Sequence, residues 1–334
     1  MQDYIVGAVV ASAIAFFVVF GLVPPLIKML TKKNWMVKDV NRIGGAMIPR
    51  PGGPVILAGI IASEISLYFL LPQHTFTTKA IIALLITTSI GFIVGFIDDR
   101  KVMGGWFKPV ALIAAAIPII LLGAYEPNLV FPLFGEVKIP ALYLGLILIM
   151  IPITGNTINS IDVMNGIASG FMTIATFSLA IALFILQNYS IAILTLPLAF
   201  ASLAFFRYHN FPAKIFPGDS GAITLGAAYG AIAIIGHVEV IAAIALLPAI
   251  INSFLFLSSV KRIVEHRQVK GPTVHTDDHK ITATKEIDAP ITLVRLIVAA
   301  KPLTEKQIGN TIFKLAIFSG ILAIITALVS GFRI

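Results

Sequence analysis

The sequence predicts an all-α polytopic membrane protein with ten transmembrane helices, both termini outside, and a site built from five cytoplasmic loops. Three observations predict it. Of 334 residues, 58% are hydrophobic and only 12% are charged. A soluble domain carries roughly 25% charged residues, so this chain lacks the charge to cover a water-facing surface. The apolar residues gather in runs near the ~20 that cross a hydrocarbon core. The bases are one-sided, with 21 of 24 in alternate connections between those runs.

The apolar segments lie at roughly 4–27, 54–71, 80–97, 109–124, 140–155, 166–187, 190–206, 221–236, 239–259 and 311–331. The first has no basic leader and is followed by Lys28, Lys32 and Lys33, so it reads as a retained span and not a signal peptide. Connections 72–79, 125–139, 188–189 and 237–238 are short or nearly neutral, and only Lys79, Lys138 and Arg333 lie on their side. The positive-inside rule puts the five charged connections in the cytoplasm. The net charge of +8 thus marks membrane sidedness, with no call for nucleic acid as a partner. No cysteine is present, which excludes disulfides, thiolate metal sites and cysteine nucleophiles.

Residues 1–334 read as a single integral membrane domain without internal repeats. The one long hydrophilic stretch is 261–310. Its second half, roughly 290–308, is amphipathic: Ile291, Leu293, Leu296, Ile297 and Val298 alternate with Arg295, Lys301 and Lys306. It suits a helix on the membrane surface or beside the site, and a solvated linker is the alternative.

The acids locate the chemistry. Asp39, Asp98, Asp99, Asp162, Asp219, Glu265, Asp277, Asp278 and Glu305 share the basic side, and Asp98, Asp99, Asp162 and Asp219 stand at the mouths of spans. Carboxylates are costly to desolvate, so clustering there implies a bound cation or compensating bases. The Asp98-Asp99 pair, with Lys108 closing its loop, could bind a divalent ion, orient bases, deprotonate a nucleophile or merely cap a helix. Asn156, Asn159 and Asp162 fall at i, i+3 and i+6, one helical face that could ligate Mg²⁺ or pack against another helix. Asn165-Gly166 follows. Asp219 heads the eighth span at an N-cap position behind Tyr208-His209-Asn210-Phe211 and Phe216-Pro217-Gly218. His275, Asp277, Asp278, His279 and Lys280 form a cluster in the last loop that could be a metal site, a phosphate contact or a polar turn. In the first loop, Lys38, Asp39, Asn41 and Arg42 precede Ile48-Pro49-Arg50-Pro51-Gly52-Gly53, a phosphate-loop shape or a plain entry turn.

Taken in order, Arg50-Pro51-Gly52-Gly53, Asp98-Asp99, Asn156-x-x-Asn159-x-x-Asp162-x-x-Asn165-Gly166 and Phe216-Pro217-Gly218-Asp219-Ser220-Gly221 resemble the polyprenyl-phosphate N-acetylhexosamine-1-phosphate transferases. The resemblance covers nearly the whole chain. It implies transfer of a sugar-1-phosphate from a UDP-sugar to a polyprenyl phosphate, with UMP released and Mg²⁺ as cofactor, Mn²⁺ being the alternative. By the same resemblance Asn159 and Asp219 ligate the metal. Asp98, Asp99 and Asp162 are catalytic, and Lys108 contacts the diphosphate. Asn156, Asn165, Gly166, Asn210, Phe216, His275, His279, Lys280 and Arg50 bind substrate. The sparse histidines of the last loop, and Lys301-Pro302-Leu303-Thr304-Glu305, look closer to the archaeal and eukaryotic branch that makes dolichyl-diphosphate GlcNAc than to the bacterial phospho-MurNAc-pentapeptide translocases. Asp162 departs from the eukaryotic dolichol-type pattern. The implied setting is a cell membrane, or the endoplasmic reticulum in a eukaryote, and a homodimer is compatible with it. Attack by the lipid phosphate on the β-phosphorus is the direct mechanism; an aspartyl-phosphate at Asp98 or Asp99 is the alternative. Another UDP-N-acetyl sugar or undecaprenyl phosphate is the alternative substrate. A cation-coupled transporter, for which Glu64 inside the second span is the signal, is the rival of another class.

Overall fold

The computed structural model of the chain describes residues 2–42, 44–72, 74–101, 103–132, 134–262 and 269–331. Glu265 and Arg333 lie outside the described residues. Each expected apolar segment is helical. The chain runs through α1 (Gln2–Lys32), α2 (Gly53–Leu70), α3 (Thr75–Arg100), α4 (Phe107–Leu122), α5 (Pro140–Ile161), α6 (Ile167–Ile185), α7 (Tyr189–His209) and α8 (Gly218–Ile235). It continues through α9 (Glu239–Ala245), α10 (Leu247–Val260), the short α11 (Leu293–Ile297) and α12 (Glu305–Gly331). Eight of these, α1, α2, α3, α5, α6, α7, α8 and α12, are long and apolar enough to cross a membrane. The protein is therefore a multi-pass helical membrane protein.

Two expected spans take other forms. The segment at 239–259 is not one rod: α9 and α10 meet at 77°. Pro248 lies in the first turn of α10, and without an N–H it cannot continue the ladder from α9. The fourth segment, α4, has 16 residues, roughly 24 Å of helix at 1.5 Å per residue.

The chain is also not purely helical. Antiparallel hairpins join β1 (Met36–Lys38) to β2 (Met47–Pro49), β3 (Asn128–Phe131) to β4 (Gly135–Lys138), and β5 (Thr273–His275) to β6 (Ile281–Ala283). Strands this short carry no readable alternation, which is why an all-α chain was the expectation. The amphipathic stretch at 290–308 is broken as well. Only α11 is helical there before α12 begins at Glu305, and Leu293, Val294 and Val298 are buried against the bundle. Arg295 donates to the carbonyls of Glu286 and Pro290, stapling this segment to its own loop.

The core is organised around α8, buried from Ser220 to Ile235. Glycine and alanine dominate its surface, so α3 and α5 approach closely, as small residues permit between membrane helices. The same packing brings the C-terminal ends of α3 and α5 beside the N-terminus of α8.

Candidate active site

At that junction a cavity of about 520 Å³ opens among Trp35, Arg50, Asp98, Asp99, Arg100, Lys108, Asn159, Asp162 and Asp219, with Asn34, Pro51 and Val163 at its edge. α3 delivers Asp98 and Asp99 in its last turn, α4 delivers Lys108 in its first, and α5 delivers Asn159. Four carboxylates would repel one another in so small a space. Two cations hold three of them. Arg50 donates through Nε and Nη2 to Asp99 Oδ1 at 3.0 and 2.7 Å, and through Nη2 to Asp219 Oδ1 at 2.7 Å. The buried Lys108 ammonium lies 2.8 Å from Asp219 Oδ2 and 3.0 Å from Asp98 Oδ2.

The two adjacent aspartates do different work. Asp99 has a side chain only 1% exposed. Its oxygens accept the Asp219 and Ser220 backbone N–H groups at 2.9 and 2.8 Å, so it caps α8 from another helix. The cap expected of Asp219 is thus made by Asp99; Gly218 turns the chain with φ +72° and leaves the Asp99 carboxylate in the space that a Cβ would fill. Asp219 is thereby released to face the cavity. Asp98 accepts the Met103 N–H at 2.9 Å and turns its other oxygen to Lys108.

The face expected of Asn156, Asn159 and Asp162 is broken. α5 stops at Ile161, and Asp162 leaves the helix with ψ 61°. Asn156 donates back to the Pro152 carbonyl, while Asn159 donates to Asp219 Oδ2 at 3.4 Å. Asp162 accepts the Ala168 N–H at 3.2 Å and lies 3.8 Å from His209 Nε2. Burial pushes its pKa up to about 7, further than the Ala168 N–H and Arg50 pull it down, with Asp219 and Asp99 adding to the rise. Burial disfavours the Arg50 charge, but Asp99 and then Asp219 outweigh it and hold the guanidinium protonated.

The remaining expected residues lie around this cavity rather than in it. Asn165 is buried and donates to Asp39 and Glu305, and its Oδ1 accepts the Ala213 N–H, so it ties the first loop, the fourth loop and α12 together. Gly166, with φ +84°, starts α6 beneath Asn210. Asn210 accepts the Phe211 N–H, and Phe216 packs its ring edge against His209. His275 and His279 line a second cavity of about 320 Å³ with Lys38, Asn41 and Arg42. Lys280 pairs with Asp278 instead. The two cavities are neighbours, since Asn41 donates to the carbonyl of Val163. Glu64 is buried in α2, about 16 Å along the helix from the cavity end. Sequence reasoning missed Trp35 and the position of Arg100. A lone tryptophan just past the basic end of α1 was the available signal.

Among the described residues no three His, Cys, Asp or Glu side chains form a ready metal cage. The donor chemistry nevertheless fits a hard divalent ion. Asp219 and Asn159 line one wall side by side, a carboxylate and an amide that carry oxygen donors, and Mg²⁺ characteristically takes one or two carboxylates and fills its sphere with phosphate oxygens and water.

Residues 81–237 match the model of glycosyl transferase family 4. The chain is 28% identical over 247 residues to a protein named putative UDP-N-acetylglucosamine–dolichyl-phosphate N-acetylglucosaminephosphotransferase in Saccharolobus solfataricus, covering 73% of this chain and 76% of that one. A putative glycosyltransferase of Methanocaldococcus jannaschii is 27% identical over 340 residues, 99% of this chain and all of its own. A phospho-N-acetylmuramoyl-pentapeptide-transferase of Staphylococcus haemolyticus is 30% identical over 253 residues, 70% of this chain and 76% of that one.

Proposed function

The chain belongs to glycosyl transferase family 4, and on that footing we propose that it transfers N-acetylglucosamine-1-phosphate from UDP-N-acetylglucosamine to a polyprenyl phosphate of the dolichyl type, releasing UMP. The observation that carries this reading is the 520 Å³ cavity in which Arg50 and Lys108 pair with Asp98, Asp99 and Asp219, with Asp162 beside them, at one end of an apolar bundle. Such a chamber suits a reaction between two polyanions at a membrane surface.

The acceptor phosphate is largely ionised near pH 7, its second pKa being about 6, so it needs alignment more than deprotonation. Its oxygen attacks the β-phosphorus of the nucleotide sugar, and the bond from that phosphorus to the α–β bridging oxygen breaks. Lys108 stands between Asp98 and Asp219, where its charge meets the bridging oxygen as UMP leaves. Asp98 holds that ammonium, and Arg50 keeps Asp219 aimed into the cavity. Asp219 and Asn159 would hold Mg²⁺, which neutralises diphosphate charge when bound. A third, apolar cavity of about 300 Å³ runs beside Met150, Ile153 and Thr154 of α5. Thr154 lies about 8 Å along the helix from Asn159, close enough to lodge the prenyl chain while its phosphate reaches the carboxylates.

With ten membrane crossings, counting α4 and the bent α9–α10 pair, both termini lie outside and the site faces the cytoplasm of a cell membrane. The excess of Lys and Arg in the site-bearing connections supports this orientation.

The test is UMP release by the purified protein in detergent with Mg²⁺, polyprenyl phosphate and UDP-N-acetylglucosamine. UMP that requires lipid and metal, and that Asp98→Asn or EDTA abolishes, is the expected result. UMP only with a different UDP-sugar would replace the substrate. No UMP with any UDP-sugar, from folded protein, would sink the reaction.

A further inference from the structure

The charges lining the active cavity do not balance. Asp98, Asp99 and Asp219 face only two cations, Arg50 and Lys108, both already shared between these carboxylates, and Asp162 adds a fourth acid to the lining. A phosphate approaching this chamber is repelled unless an unshared cation stands at its mouth. Arg100 is that cation. It lines the cavity, its side chain is exposed, and among the described residues it makes no ion pair.

It is also held in place. The Arg100 guanidinium carbon lies 3.6 Å from the centre of the Trp35 ring, and Lys33 Nζ lies 5.2 Å from the same ring. Stacking fixes the guanidinium plane and leaves its edge N–H groups free to donate, as a phosphate dock requires. Trp35 is anchored through its backbone: its N–H donates to the Leu30 carbonyl, and its carbonyl accepts the Arg50 N–H at 3.1 Å. The platform therefore keeps register with the arginine that organises the carboxylates.

Its position indicates which phosphate it meets. Trp35 follows the end of α1 at Lys32, and Arg100 is the last residue of α3. Both lie where helices leave the apolar layer, the level at which tryptophan and lipid headgroups settle. A nucleotide arrives from water and need not pass this rim. A lipid phosphomonoester is confined to it.

We propose that Arg100, stacked on Trp35, docks the phosphate of the lipid acceptor at the entrance to the carboxylate cavity. Arg100 is a binding residue and Trp35 a positioning residue, and the assignment rests on the phosphosugar-transfer reading above.

The test varies the two substrates separately in Arg100→Ala, Arg100→Lys, Trp35→Ala and Trp35→Phe. Arg100→Ala and Trp35→Ala are expected to raise KM for polyprenyl phosphate about tenfold, with kcat and the KM for the UDP-sugar within about twofold. Trp35→Phe keeps an aromatic face and should restore most of the loss. Arg100→Lys should not, because an ammonium lacks the planar fork. A rise in the UDP-sugar KM instead would move Arg100 to the donor, and no change in either KM would reduce it to a surface charge. Both outcomes overturn the proposal. A binding measurement separates this failure from failure of the reaction itself. The chain has two tryptophans, so Trp106→Phe leaves Trp35 as the sole reporter. Polyprenyl phosphate should change its fluorescence where uncharged polyprenol does not, and Arg100→Ala should abolish the difference. An equal response to both lipids overturns the docking role, whether or not UMP is released.

Discussion

Asp162 is the one cavity carboxylate that sits between helices rather than on one, and its protonation is what the fold controls. Its pKa is raised to about 7 chiefly by burial, so the native protein favours the neutral acid. The unfolded chain ionises near 3.9. The stabilising contribution of the neutral group is therefore complete below that value and is lost as pH rises towards 7. Asn at this position is neutral throughout. Asp162→Asn should match the wild type near pH 4, gain on it steadily to pH 7 and hold a constant advantage above, by about 5 °C or more in melting temperature. Unfolding curves in detergent between pH 4.5 and 8.5 read this directly, and parallel curves would contradict it. At this scale the sequence was partly legible. Carboxylates at span mouths announce a charged site because burying them unpaired is prohibitive. The division of labour between Asp98 and Asp99 was not legible, since the N–H groups that Asp99 caps lie 120 and 121 residues away. Asn165 was singled out, but its bridging contacts were hidden for the same reason, its partners Asp39 and Glu305 being separated from it by 126 and 140 residues.

Among the elements, α8 sets the geometry of the site by where it starts. Gly218 enters it at φ +72°, and a Cβ there would lie 2.7 and 2.8 Å from the Asp99 oxygens and 2.8 Å from Pro51 Cβ. The carboxylate that caps the helix would be pushed off the N–H groups it satisfies. Gly218→Ala should cost about 2 kcal/mol or more in stability and lower UMP release at least about tenfold, because Asp219 would no longer be presented at the right angle. Gly104→Ala, where a Cβ meets nothing within 4 Å, is the control and should lie within about 0.5 kcal/mol of wild type. If the two variants melt and turn over alike, the cap does not organise the site. Helices as a class were readable from apolar runs, because a bilayer makes each run pay for its length in hydrocarbon thickness. The three hairpins, the early start of α12 at Glu305 and the departure of Asp162 from α5 were not. Each is decided by contacts between loops that are distant in sequence, and no local period records them.

For the whole molecule, the proposed sidedness rests on where the bases are. The cavity gathers residues from the first, second, third and fourth charged connections, and the second cavity adds the last. A shared site forces these connections to one membrane face, so orientation is a single two-way choice for the entire chain. The positive-inside rule predicts a cytoplasmic cavity, and the lack of cysteine makes the prediction measurable. Lys138 on β4 and Lys214 between α7 and α8 are both exposed, and neither takes part in the proposed chemistry. In intact cells an impermeant maleimide should modify Lys138→Cys at once, and Lys214→Cys only after the membrane is opened. The reverse pattern would put the cavity outside, out of reach of a cytoplasmic nucleotide sugar, and so would count against the donor as much as the topology. Labelling of both from one side would mean that an even number of crossings separates them, and the ten-crossing count would fall among α5, α6 and α7. The expected pattern would instead require that an acceptor held in the membrane and a donor dissolved in the cytoplasm meet at the one end of the bundle where Arg50 and Lys108 hold Asp98, Asp99 and Asp219 together.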